Sequence, residues 1–291
     1  MTFSENKVLK YFEKNKTTIL TLSFLALVFI ALNISGNAVY YKFFNTNIDQ
    51  ATTTADISTG GSPSSCNVLG INLHGELYTY IPKQNDVDPT TNYDVVSSEN
   101  VVSLIQKADQ DSTIKAILIE VDSPGGEPVA GEEIANALKT ATKPTVAVIR
   151  QTGASAAYWA ISSAGKIFAS RNSDVGSIGV TESYVQDPTT SKNFVQISVG
   201  KYKDTGNPAK PLTADDKALL LRDIKIVQQN FINDVATNRN LSVDAVTKIA
   251  DGSSVLGDKA KSVGLIDEIG DETSAQNYLS QKIGTPASLC W

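Results

Sequence analysis

Two short stretches carry the chemistry open to this chain: Asp122-Ser123-Pro124-Gly125-Gly126 and Gly153-Ala154-Ser155-Ala156-Ala157-Tyr158. Each follows an apolar run that reads as a buried strand, Ala116 to Val121 for the first and Thr145 to Ile149 for the second. Both therefore sit where a strand hands over to a helix, the place where open α/β sheets set their ligands. The first stretch offers free backbone N–H groups on glycines. The second offers a serine among small residues at the start of an expected helix, with the N–H of Ala156 at the helix N-terminus. A nucleophile facing a glycine loop is the layout of an acyl-transfer site with an oxyanion hole. The bland reading of Ser155 is a helix-capping serine.

A serine nucleophile needs a base. The chain has one histidine, His74, which reads as a strand-end residue rather than a catalytic one. One histidine also rules out a multi-histidine metal site, and no metal or cofactor is expected. The remaining base is a lysine, which accepts a proton only when neutral. Its reference pKa of about 10.4 falls when burial disfavours the ammonium form. A lysine after a strand, in a loop that can be covered, is needed. Gly200-Lys201-Tyr202-Lys203-Asp204 meets that description, and spacing alone does not choose between Lys201 and Lys203, either of which is also an ordinary solvated loop residue.

The elements that must position these groups follow in order. Residues 1–16 carry Lys7, Lys10, Lys14 and Lys16. Thr17 to Tyr41 contain no charged residue, long enough at about 1.5 Å per residue to cross a hydrocarbon core of ~30 Å. This run reads as an uncleaved membrane anchor rather than a cleaved signal peptide, with the lysines keeping the N-terminus inside and the rest exported. Residues 42–67, rich in Thr, Ser, Gly and Asp, read as a flexible linker. The folded domain is expected over 68–284, with a tail over 285–291. Strands are expected at Val68–Leu73, ended by His74-Gly75, and then at Ala116–Val121, Thr145–Ile149, Lys166–Ala169, Val175–Val180 and Phe194–Ser198. Helices are expected from Ser97 or Ser98 to Asp109, Val129 to Leu138, from Ser155, from Thr213 to Thr237, from Ser242 to Gly252, Gly257 to Val263 and Thr273 to Ile283. Thr213 with Asp216 forms a capping-box pattern. The alternation argues for an α/β fold with a largely parallel sheet. The net charge of −6 argues against nucleic acid as a partner. Cys66 and Cys290 match no metal spacing, and are read either as a disulfide joining the ends of an exported domain or as two free thiols.

These stretches, with Gly176-Ser-Ile-Gly-Val180, Ala250-Asp-Gly252 and Gly264-Leu-Ile-Asp-Glu-Ile-Gly270, occur in an order that resembles the signal peptide peptidase A (SppA) family of membrane-bound serine peptidases. The likeness spans residues 68–270. It implies a Clp-protease/crotonase-like fold of repeated β-β-α units and a Ser-Lys dyad, with Ser155 as nucleophile, Lys203 as general base, and Gly126 and Ala156 as oxyanion hole. It also implies cleavage of hydrophobic peptides such as remnant signal peptides, contact with membrane lipid, and assembly into a homo-oligomeric ring or dome in which a neighbour can supply the lysine. Ala156-Ala157 replaces glycines often found after the nucleophile, which narrows the pocket. Two other readings are a regulatory NfeD-type protease acting on one membrane protein's tail, and a non-catalytic ring-forming scaffold. An acyl-CoA enzyme fits an exported domain poorly.

Overall fold

The computed structural model describes residues 66–81, 94–186 and 196–291. The expected cytoplasmic segment and membrane anchor, and nearly all of the linker, lie outside these residues. Among the described residues, no helix is long and apolar enough to cross a membrane.

The strands are β1 (Val68–Tyr78), β2 (Val95–Ser97), β3 (Ala116–Gly126), β4 (Thr145–Ala154), β5 (Lys166–Ala169), β6 (Asp174–Gly176), β7 (Ser254–Leu256), β8 (Glu268–Ile269) and β9 (Leu289–Cys290). The helices are α1 (Ser98–Gln110), α2 (Pro128–Thr140), α3 (Ser155–Ile161), α4 (Ala214–Asn238), α5 (Val243–Thr247), α6 (Gly257–Ser262) and α7 (Glu272–Ile283). The sheet runs β2-β1-β3-β4-β5-β8, with β9 on β1, and β6 joining β4 to β7. Every pairing is parallel except β6 with β7.

The apolar runs of β3 and β4 are central, and buried on both faces. Ile117, Ile119 and Val121 face one way with Ala147 and Ile149, into the larger core against α1, α2, α3 and the end of α4. Ala116, Leu118, Val146 and Val148 face the other way, against Ala275 and Leu279 of α7. Continuous apolar strands are what a sheet covered on both faces requires. The helix boundaries follow local chemistry. The Ser97 side chain caps α1 by accepting from the Asn100 N–H, Pro128 opens α2 where no N–H is needed, and the Thr213–Asp216 capping box opens α4.

Several expectations change. β1 does not stop at His74-Gly75; it shifts register there and continues to Tyr78. Asp122–Gly126 is not a free loop but the last part of β3, paired to β1 and β4. The Val175–Val180 strand shortens to Asp174–Gly176, because Ser177 takes a positive φ of 49°. Residues 196–199 form no strand, with Ile197 and Val199 exposed at 93% and 95%. Phe194 and Val195 lie outside the described residues. The helix after Ser242 ends at Thr247 rather than Gly252. The tail is part of the sheet: β9 pairs with Val68 and Leu69, and Cys290 forms a disulfide with Cys66 at a Cα–Cα distance of 5.6 Å. The amphipathic stripe of α4 is buried only at its end. Phe231, Ile232, Val235 and Ala236 are in the core, while Leu221 and Ile226 are about half exposed.

Candidate active site

β4 delivers Ser155 to the tip of the sheet and α3 begins with it. Ser155 has φ 51°, a left-handed conformation that L-residues other than Asn and Asp seldom adopt. Such strain persists only where the surroundings impose it, and it clusters at functional positions. Here the surroundings are α3, anchored by the buried Tyr158, whose hydroxyl donates to the Leu265 carbonyl at 2.7 Å. Burial pushes the Tyr158 phenol well up.

The end of β3 passes directly over the serine. A Cβ at Gly125 (φ 109°) would lie 2.7 Å from the Ser155 Cβ and 3.0 Å from the Ala156 nitrogen. One at Gly126 would lie 2.0 Å from the Leu77 carbonyl oxygen. Only glycine lets the strand approach so closely. The amides divide their work. The Gly125 N–H donates to the buried Ser123 Oγ at 3.2 Å, and the Glu127 N–H donates to the Leu77 carbonyl at 2.8 Å. Gly125→Ala is expected to lower peptide cleavage by about tenfold or more, since the added methyl must displace Ser155 or the Ala156 amide. Peptide kinetics beside a thermal melt checks this, and an unchanged rate would contradict the close approach.

Ser155, Ala156 and Gly126 line one cavity of about 450 Å³. Trp159 and Phe231 form its apolar wall, stacked at 4.6 Å, and Trp159 Nε1 donates to Asp234 Oδ2 at 2.9 Å, tying α3 to α4. Ser177, Gly179 to Thr181 and Ala250 to Gly252 also line the cavity. Ser177 was singled out by no spacing argument; it lies within Gly176-Ser-Ile-Gly-Val180, and its positive φ and place in the cavity are tertiary facts. The helix after the serine has only seven residues, so a fixed Ala156 amide, more than a long-helix dipole, is what the site offers.

The expected base is not among the residues lining this cavity. Lys203 is exposed in the turn after Gly200, its N–H donating to the Gly200 carbonyl at 3.1 Å. Lys201 Nζ pairs with Asp215 Oδ2 at 2.8 Å, in a separate hollow of about 250 Å³ with Tyr202 and Asp204. The hydrogen bond with Asp215 pushes the Lys201 ammonium up, opposite to what a base requires. His74 also stands outside the cavity: its Nε2 is 3.1 Å from Glu120 Oε1, which accepts from Arg150 Nη1 at 3.0 Å.

The model of peptidase family S49 matches residues 137–285, from α2 to the end of α7. The chain belongs to peptidase family S49. The Clp protease model matches residues 72–175, across β1 to β6, in accord with the expected Clp-type α/β fold. Among S49-like relatives, a candidate protease of Methanocaldococcus jannaschii is 37% identical over 62% of this chain and 60% of its own length. A candidate signal peptide peptidase SppA of Enterococcus faecium is 28% identical over 63% of this chain and 56% of its own. The chloroplastic serine protease SPPA of Arabidopsis thaliana is 30% identical over 66% of this chain and 29% of its own. This chain thus matches little more than half the length of the first two. Among solved structures, a ClpP1 mutant from Listeria monocytogenes aligns over 70% of this chain and 92% of its own, at 16% identity and a TM-score of 0.45.

Proposed function

We infer that this S49 serine protease is a membrane-anchored endopeptidase that cleaves hydrophobic peptides, remnant signal peptides among them, by a Ser155–Lys203 dyad. The observation that carries the reading is the shared cavity of Ser155, Ala156 and Gly126, with a strained serine under a glycine strand. In this mechanism Ser155 Oγ attacks the peptide carbonyl, and the N–H groups of Ala156 and Gly126 hold the oxyanion. Neutral Lys203 takes the serine proton and returns one to the leaving amine. Lys203 must be covered to serve, and its exposed turn in a single chain argues that a neighbouring copy covers or receives it. The half-exposed Leu221 and Ile226 of α4, with exposed Ile197 and Val199, offer apolar surface for such an assembly in a ring or dome. The uncharged run of residues 17–41 supplies the anchor, placing the peptidase domain outside the cytoplasm.

The position of Lys203 outside the cavity also favours one rival, a ring-forming scaffold without catalysis. Mixing separates the two. Ser155→Ala and Lys203→Ala, each inactive alone, are expected to recover activity when co-assembled if the lysine acts across copies. Recovery would be absent if it acts within one chain, and wild-type protein inert on all hydrophobic peptides would favour the scaffold. A substrate range confined to one protein tail would favour the NfeD-type reading.

A further inference from the structure

The cavity beside Ser155 carries a charge that the acyl-transfer chemistry does not use. Among the residues lining it, Asp251 alone is charged. Its carboxylate is held in place on one side only: Oδ1 accepts from the Ser253 N–H at 2.9 Å and from the Ser253 hydroxyl at 2.6 Å. Among the described residues, no other residue donates to Oδ2 and no cation pairs with Asp251. The Ser253 hydroxyl bond, and then the N–H bond, hold this carboxyl below the usual range, so it is ionised at neutral pH.

The segment that carries Asp251 is fixed to the cavity walls. Gln228 Nε2 of α4 donates to the Ala250 carbonyl at 3.0 Å. The Gly252 N–H donates to the Ile178 carbonyl at 3.2 Å, and the Ser177 hydroxyl donates to the Gly252 carbonyl at 2.9 Å. The carboxylate therefore keeps a set position relative to Ser155. The same cavity is lined by the stacked Trp159 and Phe231 rings. An apolar ring stack and a carboxylate in one cavity fit a side chain with an apolar stem and a cationic head.

We propose that Asp251 is a specificity-determining residue that selects peptides carrying a lysine or arginine a few positions from the cleaved bond, in a subsite distinct from the acyl-transfer centre at Ser155. This rests on the peptidase reading above. A hydrophobic peptide with a basic residue near its apolar run satisfies the ring stack and the carboxylate together. An exposed carboxylate forms a modest, salt-screened pair, so the selectivity is a few-fold rather than absolute.

The test uses the full-length protein in detergent micelles and internally quenched hydrophobic peptides. One position at a time carries lysine, norleucine or glutamate, on either side of the cleaved bond. At one position the lysine peptide is expected to exceed the norleucine peptide in kcat/KM by about threefold to fivefold, less at high salt. Asp251→Asn is expected to bring that ratio near one, and Asp251→Lys to favour the glutamate peptide. Anisotropy of the same peptides on the Ser155→Ala variant is expected to rank them alike, a readout free of turnover. An unchanged lysine-to-norleucine ratio in Asp251→Asn overturns the proposal. So does an equal loss on every peptide, which marks a structural role or an effect on the base. Cleavage by the wild type with no lysine preference overturns the selector alone. Absence of both cleavage and binding overturns the peptidase reading with it.

Discussion

Ser155→Ala is expected to reduce peptide cleavage by about a thousandfold or more, because the attacking oxygen is gone. Ser155→Gly is expected to be equally inactive, yet to differ in stability. Ser155 has φ 51° with its Cβ pressed beneath Gly125, a conformation costing an L-residue roughly 1–2 kcal/mol. Glycine escapes that cost, partly offset by the greater freedom of the unfolded chain, so Ser155→Gly is expected to be more stable than Ser155→Ala by up to about 1 kcal/mol. Peptide kinetics and urea unfolding on the two variants check both halves. A residual rate near wild type in either would remove Ser155 from the chemistry. Equal midpoints would mean that the local backbone is unstrained.

Loss of the disulfide is expected to be the largest stability effect. Cys66 and Cys290 are separated by 224 residues, so the cross-link closes almost the whole described domain into one loop. Loop-closure entropy for that length comes to about 5 kcal/mol, and removal of native disulfides typically costs ~2–5 kcal/mol. The cross-link also secures a weak element. β9 has two residues, paired only to Val68 and Leu69 of β1. Trp291 packs against Gly70, where a Cβ would lie 2.4 Å from its ring. Replacing both cysteines by serine is expected to lower the urea midpoint, with the fluorescence of the half-exposed Trp291 shifting further toward that of a fully exposed indole. Reduction of the wild type is expected to reproduce both changes. A midpoint unchanged by substitution would show that β9 and Trp291 hold the tail without the bond.

Much of the fold was legible because its signals are local. The apolar runs Ala116–Val121 and Thr145–Ile149 read as buried strands, and they are strands of the sheet packed on both faces. The Thr213–Asp216 capping box marked the start of α4 correctly, since both of its hydrogen bonds form within one turn. Other expectations changed. Asp122–Gly126 looked like a loop because Pro and two glycines break strands on average; here the neighbouring β1 imposes pairing, and the glycines serve close approach. Gln196–Ser198 was expected within a strand from Phe194, but these residues form none and Ile197 is exposed.

The candidate site divides in the same way. Ser155 and Ala156 could be named from the sequence because they sit at a strand end among small residues, a pattern written within a few positions, while Gly126 was named through the family resemblance. That they line one cavity follows from the parallel β1-β3-β4 order, which brings the ends of β3 and β4 together. Ser177 and Asp251 have no local signature; they join the site because β6 pairs with both β4 and β7, setting the segments after Gly176 and before Ser254 side by side. By itself the sequence determined the chemistry on offer, a serine, a glycine strand and no usable histidine, since residue types and their nearest neighbours set reactivity. Only the tertiary structure decided which groups share a space, that Cys66 reaches Cys290, and that Lys203 stands outside the cavity in one chain, because proximity across some two hundred residues depends on strand order and burial rather than on spacing.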